Sequence, residues 1–240
     1  MSANKKDKLL AQLAIGFAKV AEYGPQHRVM KEILNLEIED DRSIRVLDIG
    51  SGGALYWKKI LKSSSRPIEL DLLDPLQPQS INELGSGTTS SVRHIQGLAP
   101  IALKTLESDS YDLVVAFDLI EHLEKSDGYR LLYEIDRITI GISIVFTPNG
   151  FVWQPPSINN EFNAHVSGWR PAELRSLGWA RIEGHTGLKC LIGPYGRSKF
   201  KSANLVHATS VLVRKVPTLA FAFSAVKQHE IWEPDKHEGV

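Results

Sequence analysis

The 240-residue chain lacks the features that mark secreted, disulfide-stabilised and membrane-spanning proteins. Its single cysteine, Cys190, excludes an internal disulfide, which fits a reducing compartment. No run of about 18 apolar residues occurs, so the sequence predicts no transmembrane span. The basic residues 1–8 lead into no apolar core of the signal-peptide type. We therefore expect a cytoplasmic protein.

The chain also has no excess of either charge. Lys plus Arg and Asp plus Glu number 28 each, so the formal net charge is zero. A balanced chain has no global field to attract nucleic acid or an anionic membrane, although a local patch is compatible with this balance. We expect a small-molecule or glycan partner and no nucleic acid, and the composition leaves the oligomeric state open.

Residues 46–54 indicate a buried strand that breaks into a glycine-rich turn and opens a helix. Asp48 lies inside the apolar run of this strand, and a buried carboxylate needs a partner, such as backbone amides or a cationic ligand. The glycines allow positive φ and the close approach of a ligand. Residues 56–62 supply a helix whose N-terminal amides would face that ligand.

A glycine-rich turn is also an ordinary link between a strand and a helix, so other features must decide its role. The dinucleotide pattern G-x-G-x-x-G would need a glycine at position 55, where the chain has Leu55, which weakens an NAD-type oxidoreductase. Asp-x-Gly-x-Gly directly after a strand instead resembles the first motif of the class I S-adenosylmethionine-dependent methyltransferases. Ala54 stands where that motif commonly has a third glycine.

The rest of the chain alternates predicted strands with predicted helices. We expect an α/β fold with a Rossmann-like, seven-stranded, mostly parallel sheet, helices on both faces and an antiparallel last strand. The expected strands cover residues 45–49, 67–73, 92–95, 111–117, 142–147, 179–183 and 219–226. The expected helices cover residues 5–22, 29–36, 56–62, 125–139 and 171–177, while 203–214 is a helix or a strand, with the helix favoured, and 80–91 is a loop.

A second and more specific pattern occupies residues 111–150. It consists of a Tyr-Asp-Leu-Val strand, Asp-x-x-Glu-His at 118–122, an acidic-x-x-Arg pattern at 134–137 and Thr-Pro-Asn-Gly at 147–150. These phrases look like the methyltransferase subgroup that acts on small molecules, sugars and lipids. The His-x-Ser-Gly-Trp phrase at 165–169 is similar to a bacterial subgroup found among cell-surface polysaccharide genes. The two motif sets cover residues 45–150 in the expected order.

This resemblance implies a site for S-adenosylmethionine, with S-adenosylhomocysteine as the product. Asp74 is the expected acceptor for the ribose hydroxyls, with Asp71 as the alternative. The acidic residue that often holds the adenine amino group is missing, so backbone amides near Leu98 or the side chain of Gln96 would replace it. The predicted cofactor-binding residues are Asp48, Gly50, Ser51, Gly52, Gly53, Asp74, Leu98, Phe117 and Asp118.

Methyl transfer from a sulfonium requires in-line positioning and, for a hydroxyl acceptor, a base. His122, after the fourth strand, and His165, in the segment expected to close over the acceptor, are the candidate catalytic residues, and a structural role is the alternative for both. We interpret the chain as an O-methyltransferase. A divalent cation held by Asp118, Glu121 and His122 is the weaker alternative to Glu121 capping the next helix.

The acceptor side of the predicted site lies after residue 150. Trp153, Trp169 and Asn149 are the predicted acceptor-binding residues, since aromatic rings stack on sugar faces, although such rings also form small satellite cores. The basic residues at 189–201 would meet a phosphate or carboxylate, or lie in solvent. The whole chain is predicted to form one domain, 1–240. Its parts are a helical cap (1–42), a cofactor-binding half (43–150), an acceptor-side insertion (151–205), a closing helix or strand (206–228) and a tail (229–240).

A non-enzymatic alternative stays open from sequence, namely a degenerate methyltransferase fold that serves as a binding subunit. Ala54, the missing acidic residue near Leu98 and the unassigned catalytic base favour it. Cofactor binding without turnover over a broad panel of acceptors would distinguish it from an enzyme.

Overall fold

A computed structural model of the chain describes residues 42–54, 56–64, 66–78, 81–84, 90–156, 160–185 and 222–229. The predicted N-terminal helices, the segment 186–221 with Cys190, and the tail beyond residue 229 lie outside these residues. The expectations for the helical cap, the basic stretch 189–201 and the element at 203–214 therefore stay predictions.

Seven strands of the described residues form one sheet in the order β3-β2-β1-β4-β5-β7-β6. Strands β1 to β5 pair in parallel, and β7 pairs antiparallel with both β5 and β6. The strands are β1 (Ile44–Ile49), β2 (Ile68–Asp74), β3 (Ser91–Gln96), β4 (Tyr111–Phe117), β5 (Thr139–Pro148), β6 (Arg181–His185) and β7 (Ala222–Gln228). The predicted Rossmann-like, mostly parallel sheet with an antiparallel last strand is confirmed.

The helices lie on both faces of the sheet, as predicted. They are α1 (Trp57–Ser63), α2 (Ile81–Leu84), α3 (Lys125–Ile138) and α4 (Pro171–Ser176), with 3-10 turns at Ala102–Thr105, Ile120–His122 and Glu161–Asn163. None of these helices is long and apolar enough to cross a membrane. Helix α2 lies in a segment that was predicted to be a loop.

The start of β5 differs from the prediction for a local reason. Strand β5 begins at Thr139, three residues before the predicted start, because α3 ends at Ile138 and the chain enters the sheet without a loop. Helix α4 has Pro171 in its first turn as expected, but its N-cap is the extended residue Arg170, whose side chain makes no capping hydrogen bond.

The alternation of side chains along β1 divides the core into two halves. Leu47 and Ile49 pack on the face that α3 covers. Ile44 and Val46 pack on the opposite face, together with Trp57 of α1. Because side chains alternate along a strand, Asp48 points to the same face as Val46 and therefore toward α1.

The strand order reverses between β1 and β4, since β2 and β3 lie on one side of β1 while β4 and β5 lie on the other. In open α/β sheets, ligands bind outside the carboxyl ends of the strands at such a switch point. The glycine turn follows β1, and Asp118 follows β4. The sheet therefore brings the two predicted motif sets to one place.

Trp169 packs closely against α3 at Gly128. The indole of Trp169 is fully buried, and a Cβ built on Gly128 would overlap its Cζ2 atom. Gly128 thus lets the chain near residue 169 lie directly on α3.

We expect Gly128→Ala to lower the free energy of unfolding by roughly 1–3 kcal/mol, because an added methyl group overpacks a rigid indole. The better helix propensity of alanine returns only about 1 kcal/mol. Urea unfolding measures the change, and Ser126→Ala at an exposed position of the same helix is the matched control. An alanine variant as stable as the parent would contradict the packing.

Candidate active site

The glycine turn after β1 combines positive φ angles with open space. Gly50 and Gly52 have φ angles of +71° and +52°, which side chains rarely adopt. A Cβ on Gly50 would lie 2.9 Å from Leu119 Cδ1, whereas a Cβ on Gly52 would meet no atom within 4 Å. The Oγ atom of Ser51 is buried and has no hydrogen-bond partner among the described residues. The turn therefore offers both room and an unused polar atom to a ligand.

Asp48 accepts hydrogen bonds from aromatic side chains, and among the described residues no backbone amide of the kind suggested by the sequence donates to it. The hydroxyl of Tyr56 and the Nε1–H of Trp57 both donate to its Oδ2, each at 2.7 Å. The carboxyl is 1% exposed, and this burial raises its pKa to about 6 although the two hydrogen bonds act in the opposite direction. The sequence did not predict these two partners. The signal it contains is the aromatic pair Tyr56 and Trp57 at the start of α1, the helix toward which the Asp48 side chain points.

Asp74 shapes the glycine turn from the neighbouring strand. Its Oδ2 accepts the amide of Gly52 at 2.9 Å, and its Oδ1 accepts the amide of Leu76 at 2.8 Å. Each oxygen keeps a further lone pair for a ligand hydroxyl. Asp71, midway along β2, instead accepts hydrogen bonds from Arg93 and Tyr111 and lines a separate cleft with them. Of the two candidates for the ribose contact, the structure brings only Asp74 to the turn.

The ends of β3 and β4 complete the predicted cofactor side. Leu98 is 46% exposed, and its backbone amide donates no hydrogen bond within the described part of the chain, whereas the side-chain Nε2 of Gln96 donates to Pro75 O at 3.4 Å. The ring of Phe117 lies 5.9 Å from that of Tyr56. Asp118 has a φ angle of +48°, a strained conformation for a residue with a side chain that recurs at functional sites.

His122 and His165 lie in contact, with ring centroids 4.7 Å apart and ring planes at 70°. Each ring holds the backbone of the 151–168 segment. His122 Nδ1 lies 2.9 Å from Ala164 O, and His165 Nδ1 lies 2.7 Å from Val152 O. Because a carbonyl oxygen only accepts, the Nδ1 atom of each ring donates the hydrogen, and Nε2 is the atom through which a neutral ring would act as a base or a ligand. Burial lowers the pKa of His122, which favours the neutral ring.

Glu121 is buried beside the two histidines. Its Oε2 accepts the hydroxyl of Thr147 at 2.9 Å, while its Oε1 has no partner among the described residues. Burial, together with the charge of Asp118, raises its pKa to about 8. The side chain does not cap α3, which corrects that expectation, since the N-cap is Glu124 and no side chain caps it.

The ligating atoms of Glu121, His122 and His165 all lie within 4.8 Å of one another. The sequence suggested Asp118 as the third ligand, and the structure brings His165 to that position instead. Two imidazole nitrogens and a carboxylate oxygen are a donor set that suits several divalent cations.

The predicted acceptor residues have different environments. Trp153 is 76% exposed, whereas Trp169 is fully buried and donates its Nε1–H to Ser167 Oγ and Ile120 O. Trp169 is therefore a core residue, and the prediction that it stacks on an acceptor is wrong. The Nζ atom of Lys125 lies 3.3 Å from the centroid of its ring. Asn149, the residue directly after β5, forms an isolated parallel β-bridge with Trp169 through the backbone.

Similar proteins found by comparison are methyltransferases, which agrees with the fold described above. No family model matches the chain. The ubiquinone biosynthesis O-methyltransferase of Rickettsia bellii is 28% identical over 182 residues, which cover 72% of this chain and 69% of the relative. The crystal structure of the small RNA methyltransferase HEN1 has a TM-score of 0.57 at 12% identity and covers 89% of this chain and 26% of its own.

A putative sarcosine dimethylglycine methyltransferase from Galdieria sulphuraria has a TM-score of 0.52 at 15% identity, over 89% of this chain and 86% of its own. The chain has the fold of the class I S-adenosylmethionine-dependent methyltransferases. In this methyltransferase fold, the glycine turn, Asp74 and the end of β4 surround the switch point.

The burial of Asp48 makes stability depend on pH. In the folded protein this carboxyl group has a pKa of about 6, whereas in the unfolded chain its pKa is 3.8. The unfolded chain therefore releases the proton first, and the folded protein loses stability as the pH rises from 3.8 to about 6. A shift of this size corresponds to roughly 3 kcal/mol. The stability of Asp48→Asn relative to the parent should therefore rise by about this amount from pH 4 to pH 7, measured by urea unfolding. A difference that is independent of pH would contradict the buried carboxyl.

Proposed function

We propose that the chain is an S-adenosylmethionine-dependent O-methyltransferase for a small-molecule or glycan-type acceptor. The main support for the proposal is that the expected cofactor site and the histidine pair lie at the ends of neighbouring strands. The glycine turn with Asp74 follows β1 and β2, and the pair His122 and His165 lies beside the turn that follows β4. The name of the Rickettsia bellii relative supports transfer to oxygen.

The residues present fit the cofactor. The open space at Gly52 and the unpartnered Ser51 hydroxyl would receive its amino-acid end, together with Asp118. Asp74 would accept the ribose hydroxyls through its remaining lone pairs, and the amide of Leu98 would face the adenine. Asp48 would support this site indirectly, because its carboxyl group accepts hydrogen bonds from Tyr56 and Trp57 and so positions the start of α1.

The two histidines give the acceptor side its chemistry. The cofactor supplies an activated methyl group, so the protein mainly has to orient the acceptor and remove its proton. An Nε2 lone pair of His122 or His165 would take that proton, and a positioned base contributes typically about 10² to 10⁴ in rate. The carbonyls of Ala164 and Val152 fix the orientation of both rings.

Titration calorimetry with S-adenosylmethionine and S-adenosylhomocysteine tests the donor half. We expect Asp74→Asn to weaken binding roughly 10- to 100-fold, because it removes a charged hydrogen-bond acceptor. Asp71→Asn, midway along the same strand and in a separate cleft, should leave the affinity unchanged. No binding of either compound below millimolar concentration would reject the proposal, and a titration with NADH checks the oxidoreductase alternative.

A divalent cation is a second candidate component of this acceptor site. The observation that favours it is the buried Oε1 of Glu121, which lacks a partner among the described residues, in a side chain that has a nitrogen of His122 and one of His165 within 4.8 Å of its ligating oxygen. A cation bound there would lower the pKa of an acceptor hydroxyl, and Glu121, His122 and His165 would hold it. In that case the histidines act as ligands and not as bases.

Electron paramagnetic resonance of Mn²⁺ added to EDTA-treated protein distinguishes these roles. If the cation binds, Glu121→Gln should abolish binding because the amide removes the ligand charge, while Glu124→Gln, an exposed neighbour, should retain it. Loss of methyl transfer on EDTA treatment should accompany this result. If the parent protein binds no Mn²⁺, the cation is rejected and the histidine base remains.

A further inference from the structure

Three aromatic rings lie in a row near the glycine turn, and we call Tyr56, Phe117 and Phe146 the aromatic row. The ring centroids of Tyr56 and Phe117 are 5.9 Å apart. Those of Phe117 and Phe146 are 6.4 Å apart, with the ring planes at 86°. This edge-to-face arrangement is favourable because the positive edge of one ring meets the negative face of the other. The rings therefore hold one another in a defined orientation.

The aromatic row lies where the core ends at the carboxyl edge of the sheet. Phe117 of β4 pairs with Phe146 of β5, and both rings lie on the face that α1 covers. The next pair down on that face, Val115 and Ile144, is fully buried. Phe117 and Phe146 are instead partly exposed. The row thus closes the core on one side and leaves aromatic surface open at the edge where ligands bind in this fold.

The strand register brings the row next to the glycine turn. Ile49, the last residue of β1, pairs with Ala116, so Gly50 and Phe117 follow at the next level of the two strands. Tyr56, the N-cap residue of α1, lies on the other side of the turn and contacts Phe117. The row therefore borders the proposed cofactor site on the α1 side.

Asp48 fixes the first ring of the row. Its Oδ2 accepts the hydroxyl of Tyr56 at 2.7 Å. Hydrogen bonds polarise the groups that form them, and a phenol that donates to a carboxylate becomes richer in electrons. The negative face of the Tyr56 ring is strengthened as a result. The buried carboxyl group therefore acts on the edge of the site through this ring.

We propose that the aromatic row attracts the sulfonium of S-adenosylmethionine and so distinguishes the donor from its neutral product, an inference that rests on the proposed function. A cation within about 6 Å of a ring centroid is attracted by the negative face of the ring. The sulfonium joins the ribose to the amino-acid chain. It therefore lies between Asp74, proposed for the ribose, and Ser51 with Asp118, proposed for the amino-acid end. Phe117 directly precedes Asp118, so the row borders this position.

The same contact would favour release of the product. Transfer of the methyl group leaves the sulfur with the electron pair of the broken C–S bond, while the acceptor oxygen gains the methyl group and loses its proton. The resulting thioether is neutral, so the ring faces no longer attract it. The aromatic row would thus bind the donor before transfer and stop contributing to affinity after it.

Titration calorimetry of the full chain with donor and product tests this contact. We expect Phe117→Leu, which keeps an apolar side chain but removes the ring, to weaken binding of S-adenosylmethionine about ten-fold. The affinity for S-adenosylhomocysteine should stay at the parental value. Phe117→Tyr restores a ring and should restore the parental ratio of the two affinities. Tyr133→Leu, which removes a ring that is 68% exposed on α3, is the matched control and should change neither affinity.

Two further measurements separate the ring face from shape and packing. Replacement of Phe117 by 3,4,5-trifluorophenylalanine withdraws electrons from the ring while nearly keeping its shape, and should weaken donor binding about three-fold without changing product binding. Sinefungin carries an ammonium group in place of the methyl sulfonium. Its affinity should follow that of S-adenosylmethionine across these variants, because the rings respond to positive charge and not to sulfur.

Two results would overturn the sulfonium contact while leaving the methyltransferase intact. One is a parental affinity for S-adenosylmethionine in both Phe117→Leu and the trifluorinated protein. The other is an equal loss of donor and product affinity in both, which would show that the ring serves only to shape the site. If the parent binds neither compound, the proposed function fails and the sulfonium contact fails with it. Parental affinity for S-adenosylhomocysteine in a variant also reports that the variant is folded.

Discussion

Three buried carboxyl groups at the carboxyl edge of the sheet are the constraint on which this structure depends. Asp48, Asp74 and Glu121 are each at most 9% exposed. A buried carboxylate is costly unless other groups donate hydrogen bonds to it, so each of the three fixes a different neighbour. Asp48 holds the first residues of α1, Asp74 holds the glycine turn, and Glu121 holds Thr147 at the end of β5. The three carboxyl groups that are costly to bury therefore also position the elements around the proposed ligand site.

Glu121 also connects this edge to the acceptor segment. Its backbone carbonyl accepts hydrogen bonds from the amides of Val166 and Ser167, and the neighbouring His122 ring donates its Nδ1–H to Ala164 O, which fixes the orientation of the ring. The backbone of residues 164–167 is therefore tied to the turn after β4 at several points. A shift of that segment would move His165 relative to His122, so the geometry of the proposed acceptor site depends on backbone contacts more than on either side chain alone.

The sequence predicted the elements whose signal is local. Strand β4 was placed correctly because 113–117 is a continuous apolar run, and α3 because its apolar spacing is helical. The sequence did not predict the partners of Asp48 or the burial of Trp169, because both depend on how separate elements pack against each other in the fold. The face of Asp48 follows from the alternation along β1, but the reach of Trp57 Nε1 to it requires the position of α1. Both histidines were singled out separately, and their contact across 43 positions was not visible in the chain.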